Sequence, residues 1–154
     1  MYIFIVLMLM FVLPIVSILV ELFAFHSTLA ILLLVGKWFV FWAIGVRLFT
    51  AGVRQAINPQ FTAEKILGIK GSQQFIIVQE LGFANIAMGT LGIITILNGD
   101  WVLPAAIVGL LFLGLAGIRH AFTKERNFSE NTAMLSNLIV AGILLIYIIY
   151  AVVS

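Results

Sequence analysis

Five long apolar stretches, separated by short polar connections, make up most of this 154-residue chain. A helix needs about 20 predominantly apolar residues to cross the hydrocarbon core of a bilayer. Five segments meet this requirement, so the pattern predicts an all-α polytopic membrane bundle with five transmembrane helices. We assign the whole chain, residues 1–154, to a single integral membrane domain. The predicted spans cover residues 2–25, 30–57, 73–97, 101–120 and 133–153.

The first segment is predicted to be a retained span and not a signal peptide. It has no Lys or Arg before it, and its apolar run is longer than the core of a signal peptide. Pro14 is expected to kink it. Between the third and fourth segments, residues 98–100 read Asn-Gly-Asp. Because this connection is so short, it predicts an antiparallel hairpin of these two spans.

Basic residues predict the orientation of the bundle, since cytoplasmic loops carry an excess of Lys and Arg. Only Lys37 falls on the side opposite the N-terminus. The N-terminus and both long loops are therefore predicted to be cytoplasmic, with the C-terminus outside. The basic residues on the N-terminal side are Arg54, Lys65, Lys70, Arg119, Lys124 and Arg126.

Composition excludes several classes of protein. The chain is 64% hydrophobic and 9% charged, whereas soluble domains carry about 25% charged residues. A net charge of +2, scattered along the chain, gives no indication of a nucleic-acid partner. The absence of cysteine excludes disulfides and thiolate metal sites. His26 and His120 lie in different loops, so we predict no metal site.

Glu80 is the most informative polar residue, because a carboxylate at membrane depth costs roughly 2.5–3.5 kcal/mol even on insertion scales. Arg47 of the second segment is expected at a comparable depth and is the natural partner for an intramembrane ion pair. Arg54 is the second candidate partner. Such a pair is either a fixed brace between helices or part of a working pocket, and the sequence favours neither.

Helical spacing gathers several polar residues toward the cytoplasmic ends of the spans. Asn137 of the fifth segment is a further candidate at this level. A second polar pair, Glu21 and Lys37, is expected in the outer half of the membrane. Arg54 and His120 each have an ordinary alternative role as interfacial residues at helix ends. The residues predicted to line one inner-leaflet cavity are Arg47, Arg54, Glu80, Asn85 and His120.

Small residues form a stripe along the third segment. Gly82, Asn85, Gly89 and Gly92 recur at spacings of three and four residues, and such stripes let helix backbones approach closely. A second stripe on nearly the opposite face consists of Gln73, Glu80, Ala84 and Ala87. We therefore expect the third segment to lie at the centre of the bundle.

The run Gln-Glu-Leu-Gly-Phe-Ala-Asn at residues 79–85 resembles the central motif of an uncharacterised prokaryotic family of small multi-pass membrane proteins, a domain of unknown function. The resemblance extends to residues 63–69 and 117–120. It implies a site at this position and a prokaryotic inner membrane, but no established activity. The chain is also similar, in size and helical plan only, to DoxX-like membrane proteins, some of which are linked to quinone redox chemistry. The family-like residues are Glu80, Gly82, Asn85, Gly89 and His120.

These observations favour a non-enzymatic protein that binds a lipid or small molecule, or an accessory subunit. The first alternative is a membrane enzyme or redox-linked protein acting on a quinone or isoprenoid-like lipid. The second is a small transporter, although five spans do not divide into inverted repeats. Expected partners are membrane lipids and a second copy or a larger membrane complex. The sequence specifies no cofactor and does not decide whether the protein is an enzyme.

Overall fold

The computed structural model describes residues 2–66, 72–123 and 128–154, and all regular secondary structure in these ranges is helical. Five of the helices are long and apolar enough to cross a membrane. The prediction of an all-helical chain with five candidate membrane spans is therefore confirmed.

The helices, labelled α1 to α5, correspond to the five predicted segments. A short loop helix, Pro59–Phe61, continues as a π-helical turn, Thr62–Ile66, between α2 and α3. A 3-10 turn, Gly99–Trp101, joins α3 to α4. The long helices are α1 (residues 2–23), α2 (Ile31–Ile57), α3 (Ser72–Ile94), α4 (Val102–Ala121) and α5 (Phe128–Val153).

A π-helical segment, Met8–Val12, precedes Pro14 in α1. Proline has no N–H, so Pro14 cannot donate to the carbonyl of Met10, four residues earlier. The helix widens by one residue over this stretch. Pro14, which is predicted to kink this span, lies two residues after the end of this π-helical segment.

The most buried helix is α2, which packs against each of the other four. Val40, Ala43 and Ile44 have no exposed surface. By contrast, α3 buries one face and leaves Glu80, Ala84 and other residues of the opposite face exposed. The central helix is therefore α2, and the expectation that the third segment would be central is wrong.

The buried face of α3 is its glycine stripe, which lies directly on the backbone of α2. A Cβ on Gly82 would lie 2.8 Å from Ala56 N, and one on Gly92 would lie 2.5 Å from Gly45 N. These distances are shorter than real Cβ contacts, so no side chain fits there. Two helices can approach this closely only where both surfaces are small.

Candidate functional site

A cavity of about 340 Å³ lies at the end of the bundle where α1 begins and α2 and α4 end. We call it the N-terminal cavity. All five helices line it. Its apolar wall includes Ile5, Leu9, Leu48, Phe112 and Leu113. Its polar lining residues are Arg47, Thr50, Arg54, Gln55, Asn85, His120, Glu130 and Asn137.

Several polar residues of the cavity lie toward the ends of the helices that carry them. Gly109 of α4 packs on Ile44 of α2 and Leu144 of α5, which puts these three residues at one level. With a rise of 1.5 Å per residue, seven to eleven residues along a helix correspond to about 10–16 Å. The cavity residues at that distance from this level, toward the N-terminal end, are Ala51, Arg54, Gln55, Ala116, His120, Ala133 and Asn137.

Four of the five residues predicted for the polar cluster line this cavity: Arg47, Arg54, Asn85 and His120. On α2, the spacing of Arg47, Ala51 and Arg54 by four and three residues brings all three to the cavity. The fifth residue, Glu80, is not among the lining residues, although its neighbour Leu81 is.

Glu80 does not pair with Arg47, so the expected intramembrane ion pair is absent from the described part of the chain. Gln79 Nε2 donates to the carbonyl of Ala56, 3.0 Å away, which puts this turn of α3 beside the last residues of α2. Arg47 lies nine residues before Ala56, or roughly 13 Å along the axis. The side chain of Glu80 also points to the exposed face of α3.

Arg47 is held instead by α5. Its Nη2 donates to Asn137 Oδ1 at 3.2 Å, and the side chain of Asn137 is buried. The backbone of Asn137 lies closer to the N-terminal end of the bundle than the backbone of Arg47 does. The arginine side chain therefore extends toward that end. Such snorkelling brings a guanidinium out of the most apolar layer while its stem stays packed.

Arg54 stacks on an aromatic ring supplied by the loop that follows α2. Its guanidinium carbon lies 3.8 Å from the centre of the Phe61 ring. The loop helix that carries Phe61 has Pro59 in its first turn, and Asn58 Oδ1 accepts from Phe61 N at 3.2 Å. These are ordinary helix-start features. No carboxylate within the described residues forms an ion pair with Arg54.

Asn85 and Gln55 form an amide pair between α3 and α2. Asn85 Nδ2 donates to Gln55 Oε1 at 2.7 Å. The side chain of Asn85 is only 4% exposed, yet its Oδ1 has no hydrogen-bond donor in the described structure. A buried acceptor without a donor costs about 1–3 kcal/mol. Asn85 therefore offers an unused acceptor in a residue that lines the cavity.

Gln55 and Glu130 are cavity residues that the sequence prediction missed. Glu130, Ala133 and Asn137 lie on one face of α5 and all line the cavity. The sequence shows this helical spacing. The hydropathy pattern, however, predicts that the fifth span begins at residue 133, whereas α5 begins at Phe128. Gln55 gave no signal, because a polar residue near a helix end is usual at a membrane interface.

Glu21 and Lys37 come together at the opposite end of the bundle. Lys37 Nζ donates to both carboxylate oxygens of Glu21 at 2.8 Å, and Trp38 Nε1 donates to Glu21 Oε2 at 2.6 Å. A second cavity of about 550 Å³ lies beside them, between α1 and α2. Because Glu21 already accepts three hydrogen bonds, this cluster mainly ties α1 to α2.

A family of unknown function, DUF6790, matches residues 3–153 of the chain. The chain belongs to this family. Membership agrees with the expectation of a domain of unknown function. No curated protein and no solved structure shows significant similarity to the chain.

Within the described residues of this DUF6790 member, no three His, Asp or Glu side chains come together as a metal site would require. The chemistry of the N-terminal cavity is therefore that of guanidinium, amide, imidazole and carboxylate groups above an apolar wall. Such a set can hold a polar group by hydrogen bonds and charge while it packs against a hydrocarbon chain.

Proposed function

We propose that the protein binds an amphipathic ligand, a lipid or a lipid-like small molecule, in the N-terminal cavity and does not transform it. The observation that carries this proposal is the segregation of the lining. Arg54, Gln55, His120 and Glu130 lie within three residues of the ends of α2, α4 and α5, and Leu9, Leu48 and Leu113 line the cavity deeper in the bundle. A volume of about 340 Å³ also falls within the usual range of ligand sites, about 300–1,000 Å³.

The same proposal includes an orientation. The N-terminal end of the bundle faces the cytoplasm, because the exposed residues Arg54 and Arg119 lie there and Lys37 is the only basic residue described at the opposite end. The ligand then enters from the cytoplasmic leaflet. Assignment to a prokaryotic inner membrane rests on the resemblance of residues 79–85 to a prokaryotic family motif.

A redox-linked or enzymatic role on a quinone or isoprenoid-like lipid is the alternative. It is supported by His120, which lines the cavity at the end of α4 and could exchange protons with the cytoplasm. The transporter hypothesis has less support. Between the two cavities α2 contributes Val40, Ala43 and Ile44, all fully buried and apolar, so a path from one cavity to the other would need these residues to move.

The experiment that tests the proposal is to fill the cavity. Ala116 lines it from α4, and the substitution Ala116→Phe adds a ring to that wall. The matched control is Ala87→Phe, which adds the same ring to the exposed face of α3, away from the cavity. Native mass spectrometry of the protein, released from lipid nanodiscs, measures the lipid that stays bound. We expect bound lipid in the wild type and the control but not in Ala116→Phe.

Equal lipid retention by the two variants would contradict the proposal. So would the absence of retained lipid from the wild type. A retained quinone with a distinct redox absorbance would instead favour the alternative. Circular dichroism and a thermal melt of each variant separate a filled cavity from a misfolded protein, because only the filled cavity leaves the helix content and the melting transition intact.

A further inference from the structure

If a ligand binds in the N-terminal cavity as proposed, two polar groups there that lack a partner in the described structure specify the chemistry of its headgroup. The first is Arg54. Its guanidinium lies over the face of Phe61, and stacking of this kind leaves the N–H groups free in the plane of the guanidinium. No carboxylate of the described residues pairs with it. An anion that reaches the cavity therefore meets a positioned cation that has no ion pair among the described residues, although the carboxylate of Glu130 also lines the cavity.

The second unused group is Asn85 Oδ1, a buried oxygen with no donor in the described structure. Its amide nitrogen is already bound to Gln55 Oε1 at 2.7 Å, which leaves Oδ1 as the atom of this amide without a partner. A ligand that satisfies this oxygen must bring an N–H or O–H donor. A purely anionic group, such as a fully ionised carboxylate, has only acceptors and leaves this oxygen unpaired.

The position of these two groups decides between a lipid headgroup and a free anion. Arg54 and Gln55 lie three and two residues before the end of α2 at Ile57. Toward the middle of the bundle, the cavity is lined by Leu48, Phe112 and Leu113. A headgroup held at Arg54 therefore lies near the membrane boundary, and its hydrocarbon chain has an apolar wall to follow. A free phosphate would gain nothing from that wall.

We propose that the ligand is a phospholipid whose headgroup combines an anionic phosphodiester with a hydroxyl group. The phosphate binds Arg54 through charge-assisted hydrogen bonds. The hydroxyl donates to Asn85 Oδ1 once neighbouring side chains shift to admit it, because this oxygen has almost no accessible surface in the unbound protein. Arg54 thus selects for negative charge in the headgroup, and Asn85 selects for a hydrogen-bond donor.

The test compares three phospholipids with identical acyl chains in nanodiscs: phosphatidylglycerol, phosphatidylmethanol and phosphatidylcholine. The first has charge and hydroxyls, the second has charge without a headgroup hydroxyl, and the third is zwitterionic. Native mass spectrometry gives the bound fraction of each, and inorganic phosphate is added as a competitor. We expect phosphatidylglycerol to bind best, phosphatidylmethanol next and phosphatidylcholine least, with no competition by phosphate at millimolar concentration.

Two substitutions separate the two contacts. Arg54→Gln should weaken phosphatidylglycerol binding by about tenfold or more, the loss expected for a charge-assisted hydrogen bond. Its control is Arg119→Gln, because Arg119 is an exposed arginine at the same end that bonds Thr123 and does not line the cavity. Asn85→Leu should remove the preference for phosphatidylglycerol over phosphatidylmethanol and keep the preference for both over phosphatidylcholine.

The inference on the headgroup is overturned if the wild type binds the three lipids equally, or if Arg54→Gln and Arg119→Gln behave alike. Competition by inorganic phosphate would assign the site to a free anion and overturn the lipid assignment. The proposed function fails in a different way, namely if none of the lipids is retained or if Ala116→Phe retains them all. The lipid comparison on the wild type needs no variant, so it decides the question even if a substituted protein does not fold.

Discussion

At the scale of single residues, the carboxylates of Glu21 and Glu80 are stabilised in different ways. Glu21 accepts three hydrogen bonds from Lys37 and Trp38, and its side chain is only 15% exposed. Glu80 is exposed and has no partner in the described structure, but it lies beside the last turn of α2. A charge near the membrane boundary can reach water, whereas a deeper one needs a partner. The cost of a carboxylate in an apolar layer is thus offset by hydrogen bonds at Glu21 and by access to water at Glu80.

This difference predicts opposite outcomes for one chemical change. Glu21→Gln should destabilise the protein by about 1.5–3 kcal/mol, the range for hydrogen bonds to a charged group, because Lys37 loses its counter-charge. Glu80→Gln should change stability by less than about 0.5 kcal/mol, as surface substitutions do. The free energy of unfolding in mixed micelles measures both. A large effect at Glu80 would mean that its carboxylate has a partner outside the described residues of this chain, such as a second copy.

At the scale of helices, the α2–α3 contact depends on glycine on both sides. Gly45 and Gly52 of α2 meet Gly92 and Gly82 of α3, so that backbone packs on backbone. This contact also sets the register that places Asn85 next to Gln55. Since the amide pair lines the cavity, the close packing of α2 on α3 also fixes the geometry of the site.

Gly92→Ala should separate α2 from α3 and destabilise the protein by about 1–3 kcal/mol, the usual cost of overpacking. The added methyl group would lie 2.5 Å from Gly45 N, and backbone cannot yield as a side chain can. The matched control is Gly142→Ala on α5, where nothing lies within 4 Å of the new methyl group. Thermal unfolding in detergent compares the two variants. If both melted like the wild type, the close helix contact would not exist in solution.

At the scale of the whole molecule, hydropathy could predict the five helices because a bilayer fixes the length and composition of a span. Spacing along α2 could also predict that Arg47 and Arg54 share a face. The depth of Glu80 along the bundle could not be predicted, because the helices do not begin and end at the same depth. Gln79 lies beside Ala56 near the end of α2, so the first turns of α3, from Ser72 on, extend past that end. Counting residues from the loop does not reveal this offset. Glu130 was missed for a related reason, since the polar first turn of α5 has no hydropathy signal.

The orientation of the bundle is the prediction on which the inner-leaflet entry of a ligand depends. The chain has no cysteine, so single cysteines report their side without any background substitution. Gln60→Cys lies in the connection between α2 and α3, and Ser154→Cys at the C-terminus; both positions are exposed. A membrane-impermeant maleimide applied to intact spheroplasts should label residue 154 at once and residue 60 only after the membrane is permeabilised. The reverse pattern would put Arg54 and the N-terminal cavity on the outer side and contradict entry of the ligand from the cytoplasmic leaflet.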